Sequence, residues 1–230
     1  MRYLGGKSRI AKPLAEFLTH VRGDRPYLEP FMGAGHVLFE MNGERIGSDA
    51  NLALMRMWQA IQAGWMPPEC ISEQEYINLK TCCPCALQAY AAFQGSFGGK
   101  WFAGYARDPS SDRNYIKNGH RSIRYAMPRL VGVRLTSQDY RAWVGINGFL
   151  VYCDPPYENT TAYGATGDFS HSEFWAWVRK LSQHNTVLVS SYHAPVDFSP
   201  VWQIETHTDL QTKSGGKSNR TEKLFQYQPY

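Results

Sequence analysis

Long hydrophobic runs are missing from this 230-residue sequence: no apolar stretch approaches the roughly 18–20 residues that cross a bilayer, which argues for a soluble protein. The opening MRYLGGKSRI also lacks the apolar core of a secretory leader, so a cytoplasmic location is expected. Cysteine is scarce and odd in number, with three of the five crowded into TCCPC at 81–85. That pattern does not make the disulfide framework of a secreted domain. Cys82 and Cys85 would supply half of a tetrahedral zinc site, but no second ligand pair stands at suitable spacing, and no metal is expected. Neither sign of charge is strongly in excess. The net +4 permits an anionic partner without requiring one, and internal repeats and low-complexity tails are absent.

What is present is apolar residues, 43% of the chain and enough for a sizeable core. Ile10, Leu14, Phe17, Leu18 and Val21 recur at helical spacing, with Pro13 tolerable only in the first turn. RPYLEPF then reads as a short strand, GHVLFEMNG as a helix closed by Gly43, and RIGSD as a second strand. Such a unit implies a parallel sheet. Leu54, Met55, Trp58, Ile61 and Trp65 return to helical spacing; Ser72 and Glu75 form a capping box, and Pro84 and Gly95 bracket another helix. The stretch GSFGGKWFAGYARDPSSDRNYIKNGHR reads as surface loops or a hairpin. It opens a basic region in which Lys100, Arg107, Arg113, Lys117, Arg121, Arg124, Arg129 and Arg134 face only Asp108 and Asp112. Alternation resumes from Val131 with VGVRL, GFLVYC, a helix capped by Ser170 and Glu173, TVLVSS, and terminal strands near VWQIETH and KLFQYQ. The predicted architecture is α/β, with a catalytic domain from 1–55 and 131–230 and a helical, basic insertion over 56–130.

EPFMGAG at 29–35 places glycines where a strand turns toward a helix, so that backbone amides can approach a carboxylate or phosphate closely. Such glycines also occur for packing alone. Asp49 ends the second strand 14 residues after Gly35, about where α/β nucleotide sites keep an acid for ribose hydroxyls. The plainer role for Asp49 is a cap on the helix starting near Asn51. A dinucleotide fingerprint is incomplete, because Leu38 stands where its third glycine belongs. The two GGKS segments are not phosphate loops either, since Met1 and Gln211 occupy the required glycine positions.

The run GFLVYCDPPYENTTAYG ends a buried strand in Asp154, Pro155, Pro156 and Tyr157. Two prolines restrict the backbone there, so the Asp154 carboxylate and the neighbouring carbonyls are held as preorganised acceptors. Such acceptors suit a planar NH₂ group, and Tyr157 offers a flat face to a nucleobase. An exocyclic amine is a poor nucleophile because its lone pair is delocalised. If Asp154 and the Pro155 carbonyl accept its hydrogens, the lone pair can be aimed at an electrophile such as a sulfonium methyl. Alone, the same four residues would also serve as a tight turn.

In their order, RYLGGKSRI, LEPFMGAGHVLFE, SDAN, LTSQDY, DPPY, VLVSSYHAP and GGKSNRTEKLF resemble the motifs of the Dam-type DNA adenine methyltransferases, the alpha-group amino-methyltransferases of bacteria and phages. The likeness spans nearly the whole chain and implies a Rossmann-like sheet that uses S-adenosylmethionine. It implies that Tyr3 and Lys7 lie against the cofactor, that Phe31, Gly33, Ala34 and Gly35 surround its methionine part, that Asp49 binds the ribose, and that Asp139 and Tyr140 border the adenine. Asp154, Pro155, Pro156 and Tyr157 would grip a target base flipped from double-stranded DNA, with the aspartate favouring adenine and Asp154 also facing the cofactor.

The match is poorest over 96–127, where the family reads DNA sequence, often GATC. Arg2, Lys100, Arg107, Arg113, Arg121 and Arg124 are the candidate DNA contacts, to bases or to phosphates. A bacterial or phage-infected cytoplasm fits, as does either a restriction-modification partner or a solitary enzyme, and no obligate protein partner is implied. The competing readings are an amino-methyltransferase acting on cytosine, RNA or a glutamine side chain, and a DNA-binding decoy that no longer catalyses.

Overall fold

The computed structural model describes residues 1–108, 113–157, 169–208 and 218–229. Helix α1 (Ala11–Arg22) leads into β1 (Tyr27–Glu29), β2 (Arg45–Asp49), α2 (Leu52–Gln62), α3 (Glu73–Leu79), α4 (Ala86–Gln94) and α5 (Tyr115–Ala126). Then come β3 (Val133–Ser137), β4 (Leu150–Cys153), α6 (His171–Leu181), β5 (Thr186–Ser191), β6 (Phe198–Thr208) and β7 (Ser218–Tyr227). The strands make one seven-stranded sheet in the order β3-β2-β1-β4-β5-β7-β6. Neighbours from β3 to β5 are parallel, whereas β7 runs antiparallel to both β5 and β6. The chain reverses its winding between β1 and β4, the crevice where ligands of open α/β sheets bind.

Parallel strands are covered on both faces, which is why LVYC of β4 is apolar throughout and wholly buried. One face packs Leu14, Leu18, Leu54, Trp58 and Tyr90 from α1, α2 and α4. The other packs Phe174, Trp177, Val178 and Leu181 of α6 with Trp143. Insertion helices therefore share a core with the sheet. The predicted domain boundary at 55/56 falls inside α2, and the side chains of that helix show why it belongs with the sheet. Gln59 Nε2 donates to the Leu135 carbonyl (3.1 Å), and Gln62 Nε2 donates to those of Leu130 and Val133 (2.8 and 2.7 Å).

Two local expectations are corrected. GHVLFEMNG forms only a 3-10 turn over Leu38–Glu40, because Met41 is extended. Arginine side chains satisfy the carbonyls of the extended segment that follows: Arg45 Nη1 donates to Met41 O (2.8 Å), and Arg22 donates to Asn42 O and Glu44 O. Conversely, the end of the stretch read as loops, from Tyr115 to Arg121, belongs to helix α5. Its buried positions Ile116, Gly119, Ile123 and Ala126 follow helical spacing. A Cβ at residue 119 would stand 2.2 Å from Gln94 Cγ and 2.8 Å from the Tyr90 hydroxyl, so glycine is needed for close packing on α4. The 96–106 portion remains irregular, with a 3-10 turn at Phe97–Gly99 and a single antiparallel bridge between Ser96 and Tyr105. No described helix is long and apolar enough to cross a membrane.

Candidate active site

At the carboxyl ends of β1, β2 and β4 lies a cavity of about 320 Å³. Gly33 forms its floor with φ +50°, and a Cβ there would stand 2.9 Å from the ring of Tyr3, so the backbone and the ring meet directly. Asp49 locks this turn: its Oδ2 accepts from Gly33 N (3.0 Å) and its Oδ1 from Asn51 N (2.9 Å). The cap of α2 is Asn51, whose Oδ1 accepts from Leu54 N, so Asp49 is not the helix cap. Burial pushes the Asp49 carboxyl above its usual range, while the two amides pull it back. Trp58 Nε1 donates to the Gly33 carbonyl (2.9 Å) and fixes the floor from below.

The side walls are aromatic and acidic. Phe31 stacks on Tyr140 with centroids 5.3 Å apart, and Phe174 meets both rings edge-on. Asp139 is held by Arg141, with Nε 2.7 Å from Oδ1, and that contact keeps the carboxyl below its usual range. Asp154 and Pro156 form the opposite rim.

Behind the rim, Lys7 Nζ lies 2.9 Å from Asp154 Oδ1 and 3.5 Å from Glu222 Oε2. It also donates to the Tyr157 hydroxyl (2.8 Å). Burial opposes the Lys7 charge, but the carboxylates of Asp154 and Glu222 outweigh it and hold the ammonium above its ordinary value. Burial pushes Asp154 up, and Lys7 only partly reverses this.

The predicted site residues separate into three places. Tyr3, Phe31, Gly33, Asp49, Asp139, Tyr140, Asp154 and Pro156 share the cavity wall. Lys7 and Tyr157 stand behind it, and the Tyr157 ring is engaged by Lys7 and by Tyr192 rather than facing the cavity. Ala34 and Pro155 are buried outside the lining, and Gly35 packs against Phe39 and Met32.

Among the proposed DNA contacts, Arg2, Arg113 and Arg121 line a second, open groove of about 1130 Å³ between the start of α1 and α5. Lys100 instead lines the first cavity, Arg107 pairs with Glu73, and Arg124 lines neither hollow. The groove adds Arg9, in the turn before α1, and Lys12, in the first turn of that amphipathic helix, neither of which the motifs single out as a DNA contact. The sequence reading also passed over Glu222 and Tyr192, although both lie in stretches that carried the resemblance. Their only sequence signal was that placement, since Glu222 meets Lys7 across most of the chain. Among the described residues no cluster of three or more His, Cys, Asp or Glu is placed to hold a metal.

The sheet order with its antiparallel β7, and a cavity at the switch point lined by Gly33 and by the acid ending β2, define a Rossmann-like α/β fold with a hollow where the S-adenosylmethionine implied by the motif resemblance would sit. Residues 3–81 match the family model described as D12 class N6 adenine-specific DNA methyltransferase, which supports the resemblance read from the motifs. No curated protein sequence matches the chain. Among solved structures, it is similar to precorrin-6y C5,15-methyltransferase from Geobacter metallireducens GS-15, at 8% identity and TM-score 0.41 over 99% of this chain and 94% of that one. It is also similar to CalS10, an amino pentose methyltransferase from Micromonospora echinaspora, at 13% identity and TM-score 0.38 over 98% and 78% of the chains. Likenesses this distant transfer no substrate.

The residues present fit that cofactor. Close approach to the backbone at Gly33 suits its methionine end, the remaining lone pairs of Asp49 can accept from ribose hydroxyls, and the Asp49 and Asp154 carboxylates favour a cationic sulfonium. When bound, the cofactor supplies an activated methyl group.

Proposed function

We propose that this protein is a site-specific DNA methyltransferase that modifies the exocyclic amine of an adenine turned out of double-stranded DNA. One observation carries the reading: Asp154 lies on the wall of the same cavity as Gly33 and Asp49, so a base-gripping acceptor and the cofactor turn face one space. Asp154 accepts an amine hydrogen and, with Pro155 and Pro156 limiting its backbone, holds the NH₂ group in a fixed direction. Acceptors on the amine hydrogens return electron density to the nitrogen. Tyr3 and Phe31 line the hollow with aromatic faces.

The basic groove supports DNA as the partner. Among the described residues lining the groove, Arg2, Arg9, Lys12, Arg113 and Arg121 face a single acid, Glu40, and the groove shares Tyr3 and Gly6 with the cavity. A duplex backbone lying there would deliver a flipped base next door. The Arg2 guanidinium sits 4.1 Å over the Tyr115 ring, which fixes its direction.

Plasmid DNA incubated with the protein and labelled S-adenosylmethionine, then hydrolysed to nucleosides, tests the proposal. The label is expected in N6-methyladenine at a recurring sequence, which modified-base sequencing identifies. Label in N4-methylcytosine or in RNA would reassign the substrate, and DNA binding with no label would make the protein a decoy.

A further inference from the structure

Glu222, on β7, has no role in the reading above, yet it touches Lys7, Tyr157 and Tyr192 around the Asp-Pro-Pro-Tyr corner. Its Oε2 lies 3.5 Å from Lys7 Nζ and accepts from the Tyr157 hydroxyl at 3.1 Å, while its Oε1 accepts from the Tyr192 hydroxyl at 3.3 Å. The Lys7, Asp154 and Glu222 side chains are only 9%, 19% and 14% exposed, so their interactions are little screened.

Two carboxylates share one ammonium, which leaves the trio with a net negative charge. Were Lys7 matched to Asp154 alone, at 2.9 Å, the acceptor that must grip an amine would be neutralised by its own ion pair. The Tyr157 hydroxyl accepts from Lys7 and therefore has one proton to donate, which Glu222 takes. Tyr192 meets the Tyr157 ring edge-on at 4.8 Å and completes the clamp. The long hairpin of β6 and β7 thus reaches into the site, with Glu222 opposite Ile204 in register.

We propose that Glu222 is a positioning residue for methyl transfer: it shares the Lys7 ammonium with Asp154, so that the 2.9 Å ion pair does not cancel the corner's negative charge, and it anchors the Tyr157 ring. The inference rests on the adenine reading above.

The first test uses the protein alone. Trace acetylation of Lys7 with acetic anhydride across pH, read by mass spectrometry, gives the midpoint at which this amine becomes reactive. The groups facing it are Asp154, Glu222 and the hydroxyls of Tyr157 and Tyr192. Glu222→Gln should lower the midpoint by about 1–3 units, the effect of losing an opposite charge at this range. The second test is single-turnover transfer to a duplex carrying the sequence that the wild type methylates. Glu222→Gln should slow it by up to about 100-fold, as expected for a misplaced reacting group, with DNA affinity preserved.

An unmoved Lys7 midpoint, or an unchanged rate despite a moved midpoint, overturns the role. If Glu222→Gln does not fold, Glu222→Asp carries the test, because it withdraws the carboxylate by one methylene. A lower midpoint with slower transfer supports the role, and no change in either overturns it. Wild-type protein that forms no N6-methyladenine overturns the adenine reading, and the role with it, whatever the labelling shows.

Discussion

Asp154 and Glu29 are carboxyls with different tasks, and burial separates them. Asp154 sits on a cavity wall, where Lys7 offsets part of the burial that opposes its ionisation and one oxygen can meet a ligand. Replacing it with alanine should lower the methyl-transfer rate by at least about 10²–10³-fold, the scale for removing a preorganised polar contact to a reacting group. DNA affinity, measured by titration of a labelled duplex, should remain close to wild type. Glu29 is instead sealed under the sheet at 3% exposure, accepting from the Tyr27 hydroxyl at 3.1 Å. Burial holds its pKa well above the ordinary value. The unfolded chain ionises this group near pH 4.3, so its contribution to stability is whole below that pH and is lost as pH rises toward the folded pKa. Glu29→Gln keeps an acceptor for Tyr27 and removes the proton linkage. It should raise the thermal midpoint at pH 8 by about 2–4 °C for each kcal/mol regained and flatten its fall between pH 5 and 8. Sequence reading found Asp154 because prolines mark it, but Glu29 carried no sign of its burial within a strand of three residues.

Elements follow the same logic one level up. Those with a periodic apolar face or a capping box were legible: α1 and α2 by their spacing, α3 by its capping box, and α6 behind Ser170. Helix α5 was not, because it combines three basic residues with a glycine, a composition that reads as loop. Its Asn114 cap and its contact with α4 hold it as a helix. Gly119 lets α5 approach Gln94 and Tyr90, and Tyr90 donates from its hydroxyl to the Ile116 carbonyl at 2.6 Å. Gly119→Ala should therefore destabilise the protein by about 1–3 kcal/mol, although alanine is the better helix former, because overpacking at 2.2 Å outweighs propensity. Chemical denaturation checks the sign; a more stable variant would show that α5 and α4 are not so tightly apposed. The turn at Leu38–Glu40 shows the opposite case, where a helical pattern gives one 3-10 turn and the chain then runs extended, with Arg45 satisfying the Met41 carbonyl.

Across the whole molecule, two hollows meet at Tyr3 and Gly6: one acidic and aromatic, the other basic and open. If phosphates occupy the groove, Arg113→Ala and Arg121→Ala should each weaken binding to cognate and scrambled duplexes alike. Each should also reduce the slope of log affinity against log salt by about 1. A loss confined to the cognate duplex would assign that arginine to a base instead. Motif order and apolar spacing were enough to place the sheet, its acid-ended second strand and the Asp-Pro-Pro-Tyr corner, since those depend on neighbours close in the chain. Folding alone decided that Lys100 faces the cavity and not the groove, that Arg9 and Lys12 join Arg2, and that Glu222 shares Lys7 with Asp154. Those pairings join residues far apart in sequence, and electrostatic contact depends on distance in space, which no local pattern encodes.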